Sequence, residues 1–232
     1  MTSAWPVTLT SPELILRPLR RRDANQWYAL RRHNADWLRQ WEATLPAADP
    51  SIPGTYRGMV RAYQREAKAS RAQAFALEVG GRLMGQVTIG GIALGSLRSA
   101  YIGYWISQDA AGLGLMPKAV AMVTDHAFDS LRLHRLEINI RPENASSRRV
   151  AEKLGYREEG FRRNYLHIEG QWRDHNSYVM LADERPAMGL AAHVALHGWR
   201  DQKSDESDNA QHRVGSVGDT GESVPRMRGP RP

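Results

Sequence analysis

Residues 100–140 carry the tightest constraint. "AYIGYWIS", aromatic and β-branched, gives way across "QDAAGLGL" to a helical stripe and then to the alternating "RLEINI". A period of two, then about 3.6, then two again spells strand, helix, strand. Such a unit sets its two strands parallel in one sheet, joined by a right-handed crossover. The stripe consists of Met116, Ala119, Val120, Val123, Ala127 and Phe128, within a helix predicted over 115–130.

Elsewhere the pattern is mainly antiparallel. "LILRPL" (Leu14 to Leu19) alternates and ends near Pro18 as a first or edge strand, and Asp23 stands as N-cap of a helix over 24–34. Residues 35–55, rich in proline, read as turns, with Trp37 and Trp41 packed beneath the loop or lining a pocket. A polar helix over 56–72 precedes two strands about Gly80-Gly81, a strong hairpin signal. "NASSRRVAEKL" reads as a helix opened by Asn144 and closed by Gly155. Residues 160–167 and 172–181 form a final antiparallel pair. These elements predict an α/β (α+β) fold: a mixed, mostly antiparallel sheet flanked by helices, with one βαβ crossover.

Composition sets the outer limits. No run of about 18 apolar residues is present and the opening segment lacks a signal-peptide layout, so a cytoplasmic chain without membrane contact is expected. The absence of cysteine excludes disulfides, zinc–thiolate sites and a cysteine nucleophile, and the eight histidines have no metal-ligand spacing. Residues 203–232 hold five basic and five acidic residues and few large apolar ones, so this tail is expected to be disordered. The domain is predicted over 9–182, with an extension over 183–202 containing a short helix. The net charge of +7 therefore resides in residues 1–202, where it would attract RNA, a ribosome surface or a phosphorylated cofactor, or simply mark a solvated face.

The turn before the helix over 115–130 is a natural anion site, because the first N–H groups of a helix are unpaired and its dipole is positive there. A dinucleotide fingerprint requires glycine where Pro117 stands, and a Walker A loop requires lysine directly after glycine, where Lys118 is displaced. "DAAGLG" resembles the pyrophosphate loop of the GNAT acetyltransferase superfamily, with Asp109 where a basic or amide residue is usual. The blocks "LILRPLRRRDANQW", "NADWLRQW", "IGYWISQDAAGLGLMPKAV", "LHRLEINIRPENASSRRVAEKLGYREEG" and "YLHIEGQWRDH" resemble, in order and spacing, the RimJ/RimL branch, the ribosomal-protein N-terminal acetyltransferases. The likeness runs from about Leu9 to Leu181 and is nearer to RimJ.

This resemblance implies acetyl-CoA as co-substrate and a protein N-terminus, such as that of a ribosomal protein, as acceptor, in a monomer or homodimer. It implies that Gly112, Leu113, Gly114 and Leu115 hold the pyrophosphate and that the strand end at Trp105, Ile106 and Ser107 polarises the thioester. The tyrosine that protonates the departing thiolate in many relatives would fall at Ala151 and is missing. Ser147, three residues after Asn144, is the alternative, and both would contact CoA. Helix capping alone also accounts for this pair. Glu137 shares a strand face with Asn139 and Arg141 and is a candidate base or a structural carboxylate. His167, Asp174 and His175 are further options, while the position of the base proposed for RimL is occupied by Leu166.

The energetics favour one acceptor class. Neutralising an α-amine of pKa about 7.7–8.0 at pH 7 costs about 1–1.4 kcal/mol, against roughly 4.6 for lysine. Without an obvious strong base, an α-amine is the easier substrate. A small amine such as a polyamine or aminoglycoside, and a non-catalytic RNA- or ribosome-binding role, are the competing readings.

Overall fold

The computed structural model describes residues 5–49 and 53–197; the tail over 203–232 lies outside the described residues. Among the described residues eight strands form one sheet: β1 (Leu9–Thr10), β2 (Ile15–Pro18), β3 (Gln73–Val79), β4 (Arg82–Ala93), β5 (Ser99–Ile106), β6 (Arg135–Ile140), β7 (Arg157–Ile168) and β8 (Gln171–Leu181). Their order is β1-β2-β3-β4-β5-β6-β8-β7, and β5–β6 is the parallel pair. The crossover between them is α4 (Leu115–Asp129). The other helices are α1 (Ala24–His33), α2 (Ala35–Arg39), α3 (Tyr56–Lys68), α5 (Ala145–Lys153) and α6 (Leu190–His197).

Alternation along β3 divides the interior in two. Phe75 and Leu77 join Val120, Val123 and Leu136 in the larger core, on the face covered by α4 and α5. Ala74 and Ala76, pointing the other way, meet Tyr56 and Val60 of α3 with Trp27 and Leu30 of α1. The sheet is thus the middle of three layers.

Two features depart from the sequence pattern, and a third extends it. Residues 35–39, expected as turn, form α2, held by the packing of Leu38 and by tertiary hydrogen bonds of Asn34 and Trp37. Asp23 does not cap α1 with its side chain. Its carboxylate instead receives the Arg17 guanidinium at 2.8 and 3.1 Å and the Arg20 N–H at 2.8 Å. A buried carboxylate needs a cation, and Arg17, itself buried, supplies it. Finally, the packed unit runs on through α6. Asp125 of α4 accepts the Leu190 and Ala191 N–H groups at 2.7 and 2.8 Å, while Leu190 and Val194 enter the larger core.

His126 lies buried beside Phe75, its Nε2 2.8 Å from Gln73 Oε1, and burial lowers its pKa. The unfolded chain then binds more protons than the folded one below the ordinary value of about 6.5, so stability is lost as the pH is lowered. The thermal midpoint is expected to drop between pH 7.5 and pH 5.5, with a slope of at most about 1.4 kcal/mol per pH unit from this residue. His126→Gln should flatten that slope; an equally steep profile in the variant would remove His126 as its source.

Candidate active site

The site begins where the parallel ladder ends. β5 and β6 pair only over Ser99↔Arg135, Ala100↔Leu136 and Tyr101↔Glu137, then part. The Ser107 N–H donates to Met84 O at 2.7 Å, and backbone groups alternate sides along a strand. Trp105 and Ser107 therefore bond toward β4, while Tyr104 and Ile106 turn their backbone groups into the gap. The Ile106 carbonyl accepts the Trp37 indole N–H there at 3.1 Å. Of the three strand-end residues expected to polarise a thioester, Ile106 alone has its amide free of the β4 ladder, and Tyr104 is the second amide on that edge.

A cleft of about 730 Å³ opens at this gap. It is lined by the expected Trp105, Ile106, Gly112, Leu113, Gly114, Leu115, Asn144 and Ser147, and also by Trp37, Trp41 and Tyr104. Ser107 and Glu137 are not part of the lining.

One end of the cleft is closed by the loop 111–114 with the start of α4. Gly112 and Gly114 have φ of 79° and 74°, a left-handed conformation that a side chain disfavours. A Cβ built on Gly112 meets nothing within 4 Å, which leaves open space above the loop. Pro117 sits in the first turn, where its missing N–H is tolerated. Asp109 turns away toward His33, 3.0 Å from its Nε2, so the acidic departure from the family pattern lies outside the cleft. These backbone donors fit a pyrophosphate.

On the opposite wall Asn144 Oδ1 accepts the Ser147 N–H at 3.0 Å, the capping bond expected from sequence. Ala151 is fully buried, without a hydroxyl to offer. Tyr104, missed by sequence reasoning, brings its own hydroxyl to this wall, donating to the Ser147 carbonyl at 3.3 Å. Burial pushes the Tyr104 hydroxyl far above the usual phenol range, so it acts as a neutral donor.

Asn34 is the second residue the sequence did not reveal. Only 1% exposed, it donates to Leu30 O at 2.9 Å and Ser107 Oγ at 3.0 Å, and accepts the Gln108 N–H at 2.8 Å. It pins the α1–α2 junction to the end of β5, and Trp37 adds its bond to Ile106 from the same short helix.

Glu137 is held elsewhere. Oε1 receives Arg135 at 3.1 Å, and Oε2 receives Arg162. From Arg162 a chain of contacts runs through Ser177 Oγ (2.7 Å) and Asn139 Oδ1 (2.7 Å) to the Tyr165 hydroxyl, 3.4 Å from Asn139 Nδ2. Both oxygens serve cations, which makes Glu137 an anchor of this network. Among the other base candidates, His167 Nδ1 lies 2.8 Å from Thr44 Oγ1, and Asp174 accepts the Asn164 N–H at 2.7 Å. His175 donates Nδ1–H to the Arg173 carbonyl at 3.0 Å, and burial lowers its pKa.

Residues 13–157 match the acetyltransferase (GNAT) domain family, and the chain belongs to it. It is an N-acetyltransferase with acetyl-CoA as its co-substrate. Its relatives place it in the RimJ/RimL group. It is 33% identical over 175 residues to the probable N-acetyltransferase YjcK of Bacillus subtilis, covering 75% of this chain and 96% of that one. It is 31% identical over 177 residues to the [ribosomal protein uS5]-alanine N-acetyltransferase of Escherichia coli, covering 73% and 88%. The solved structure of Mycobacterium smegmatis RimJ in complex with CoA-disulfide superposes with a TM-score of 0.79 at 35% identity, covering 86% of this chain and 98% of that one.

Asn34→Ala removes three polar contacts in a buried position and is expected to cost about 1–3 kcal/mol of stability. It should also raise the acetyl-CoA KM, measured by thiol release. An unchanged KM beside a lowered thermal midpoint would confine Asn34 to the fold.

Proposed function

We propose that this enzyme transfers the acetyl group of acetyl-CoA to the N-terminal α-amine of a protein, with a ribosomal protein of the cytoplasm as the acceptor class. The single observation carrying this reading is the gap between β5 and β6, which gives a thioester amide donors on one side and an aromatic entrance at Trp37 and Trp41 on the other. The E. coli relative named for the alanine N-terminus of uS5 supports the acceptor class.

In this mechanism the thioester carbonyl accepts from the amides turned into the gap, chiefly that of Ile106. The neutral amine attacks the carbonyl carbon, the C–S bond breaks, and the amine's surplus proton leaves to water. Ser147, on the cleft wall, supplies a proton to the thiolate and is reprotonated from solvent. Gly112 to Leu115 and the α4 amides hold the pyrophosphate, with Asn144 fixing the turn that presents Ser147. Glu137 contributes by anchoring Arg162 rather than by taking the proton.

Ser147→Ala is expected to lower kcat about 10- to 100-fold, within the range of acid catalysis, with the acetyl-CoA Kd nearly unchanged. Wild-type kcat in that variant would return Ser147 to packing. Peptides with free α-amines should be acetylated in preference to N-blocked peptides carrying lysine, and to polyamines. Preference for a polyamine would overturn the acceptor class while leaving the acetyltransferase intact.

The rate should rise with pH along a limb set by the amine itself, near about 7.7–8.0. Glu137→Gln should keep that limb, and its loss would restore Glu137 as the base.

A further inference from the structure

Helix α3 carries Arg57, Arg61, Arg65 and Lys68 at intervals of four, four and three. At about 100° per residue they fall within an arc of roughly 80°, and a rise of about 1.5 Å per residue spreads them over about 16 Å. All four are exposed, while Tyr56, Val60 and Ala67 turn to the core. The Tyr56 hydroxyl donates to Arg20 O at 3.1 Å, which sets the exposed Arg20, Arg21 and Arg22 beside the start of this row.

The carboxylates next to this surface are held mainly by other cations, Asp23 by Arg17 and Glu66 by Arg71, with Arg65 acting on Glu66 only at longer range. Among the described residues no acidic group forms an ion pair with any of the seven cations. Tyr28, 45% exposed, borders the same end, its hydroxyl accepting the Tyr56 N–H at 3.0 Å.

We propose that this row of cations is a docking surface for the phosphate backbone of single-stranded RNA, with Tyr28 as a stacking platform for one base. Cations spaced one helical turn apart suit a regularly charged strand, and an exposed aromatic ring at the end of the row suits an unstacked base. An anionic membrane is disfavoured, since the row offers no set of large apolar side chains to insert. The surface lies on α3 and its neighbour segment, outside the acetyl-CoA cleft, and so operates independently of the acceptor proposed above.

The test is binding of a labelled single-stranded RNA oligonucleotide to the full chain from about 50 to about 200 mM salt. Wild type should bind with an affinity that falls steeply with salt, at roughly 0.7 in log–log slope per phosphate contacted. The variant Arg57→Gln/Arg61→Gln/Arg65→Gln/Lys68→Gln should bind at least tenfold more weakly with a slope shallower by about two to three. Arg57→Lys/Arg61→Lys/Arg65→Lys should retain the slope. Tyr28→Ala should weaken binding about fivefold or more at unchanged slope, and Tyr28→Phe should restore it. Acetylation of a short free peptide should be the same in every variant.

Absence of RNA binding by wild type would overturn the proposal. So would an equal loss on replacing Arg132 and Arg163 by glutamine, which would reduce the effect to net charge. Tighter, row-dependent binding to phosphatidylserine vesicles than to RNA would also overturn it, in favour of a membrane surface.

Discussion

Three residue pairs hold β5 to β6, and the site depends on there being no more. Were the ladder to continue, the backbone groups of Tyr104 and Ile106 would be spent on β6. Because it stops, two amides remain on an open strand edge, in the part of the fold where helices follow both parallel strands. α4 follows β5 and α5 follows β6, so both helices begin at the same end of the sheet. Two positive helix ends therefore converge where an anionic ligand would lie, as expected for a crevice at the carboxyl ends of parallel strands.

The same break divides labour between layers. The face under α4 and α5 carries the larger core, the glycine turn and the capped Ser147. The other face carries Trp27, Trp105 and the polar series from Glu137 to Tyr165. Trp105 packs edge-on to Trp27 at 5.3 Å and lies under the Arg31 guanidinium at 5.1 Å, which stiffens the strand on the side away from the glycine turn.

Local chemistry explains what could be read from the chain. β6 was expected over Arg135 to Ile140 and lies there, because Leu136, Ile138 and Ile140 alternate with polar residues against one core. Asn144 and the two loop glycines were legible for a similar reason: capping and left-handed backbone leave signatures within a few residues. The misses are tertiary. β1 is two residues long and exists through β2; α2 is held from outside by Asn34 and Trp37. Asp23 looked like a cap because its partner Arg17 faces it only after the chain folds. Tyr104 and Asn34 carried no spacing signal, since their bonds reach 43 and 73 residues along the chain. Glu137 was placed on the right face, yet which cations claim it depends on Arg162 from another strand.

The bonds from Asn34 and Trp37 have a consequence for how such an enzyme can diversify. Helix α2, beside the cleft, is tied directly to the end of β5. A substitution at Trp37 would also release the Ile106 carbonyl and loosen the end of β5. With acceptor and co-substrate meeting at this cleft as proposed, acceptor choice and co-substrate affinity would not be separately adjustable traits. New specificities are more readily reached from positions such as Trp41, which lines the same cleft and stacks against Arg141 rather than bonding to β5.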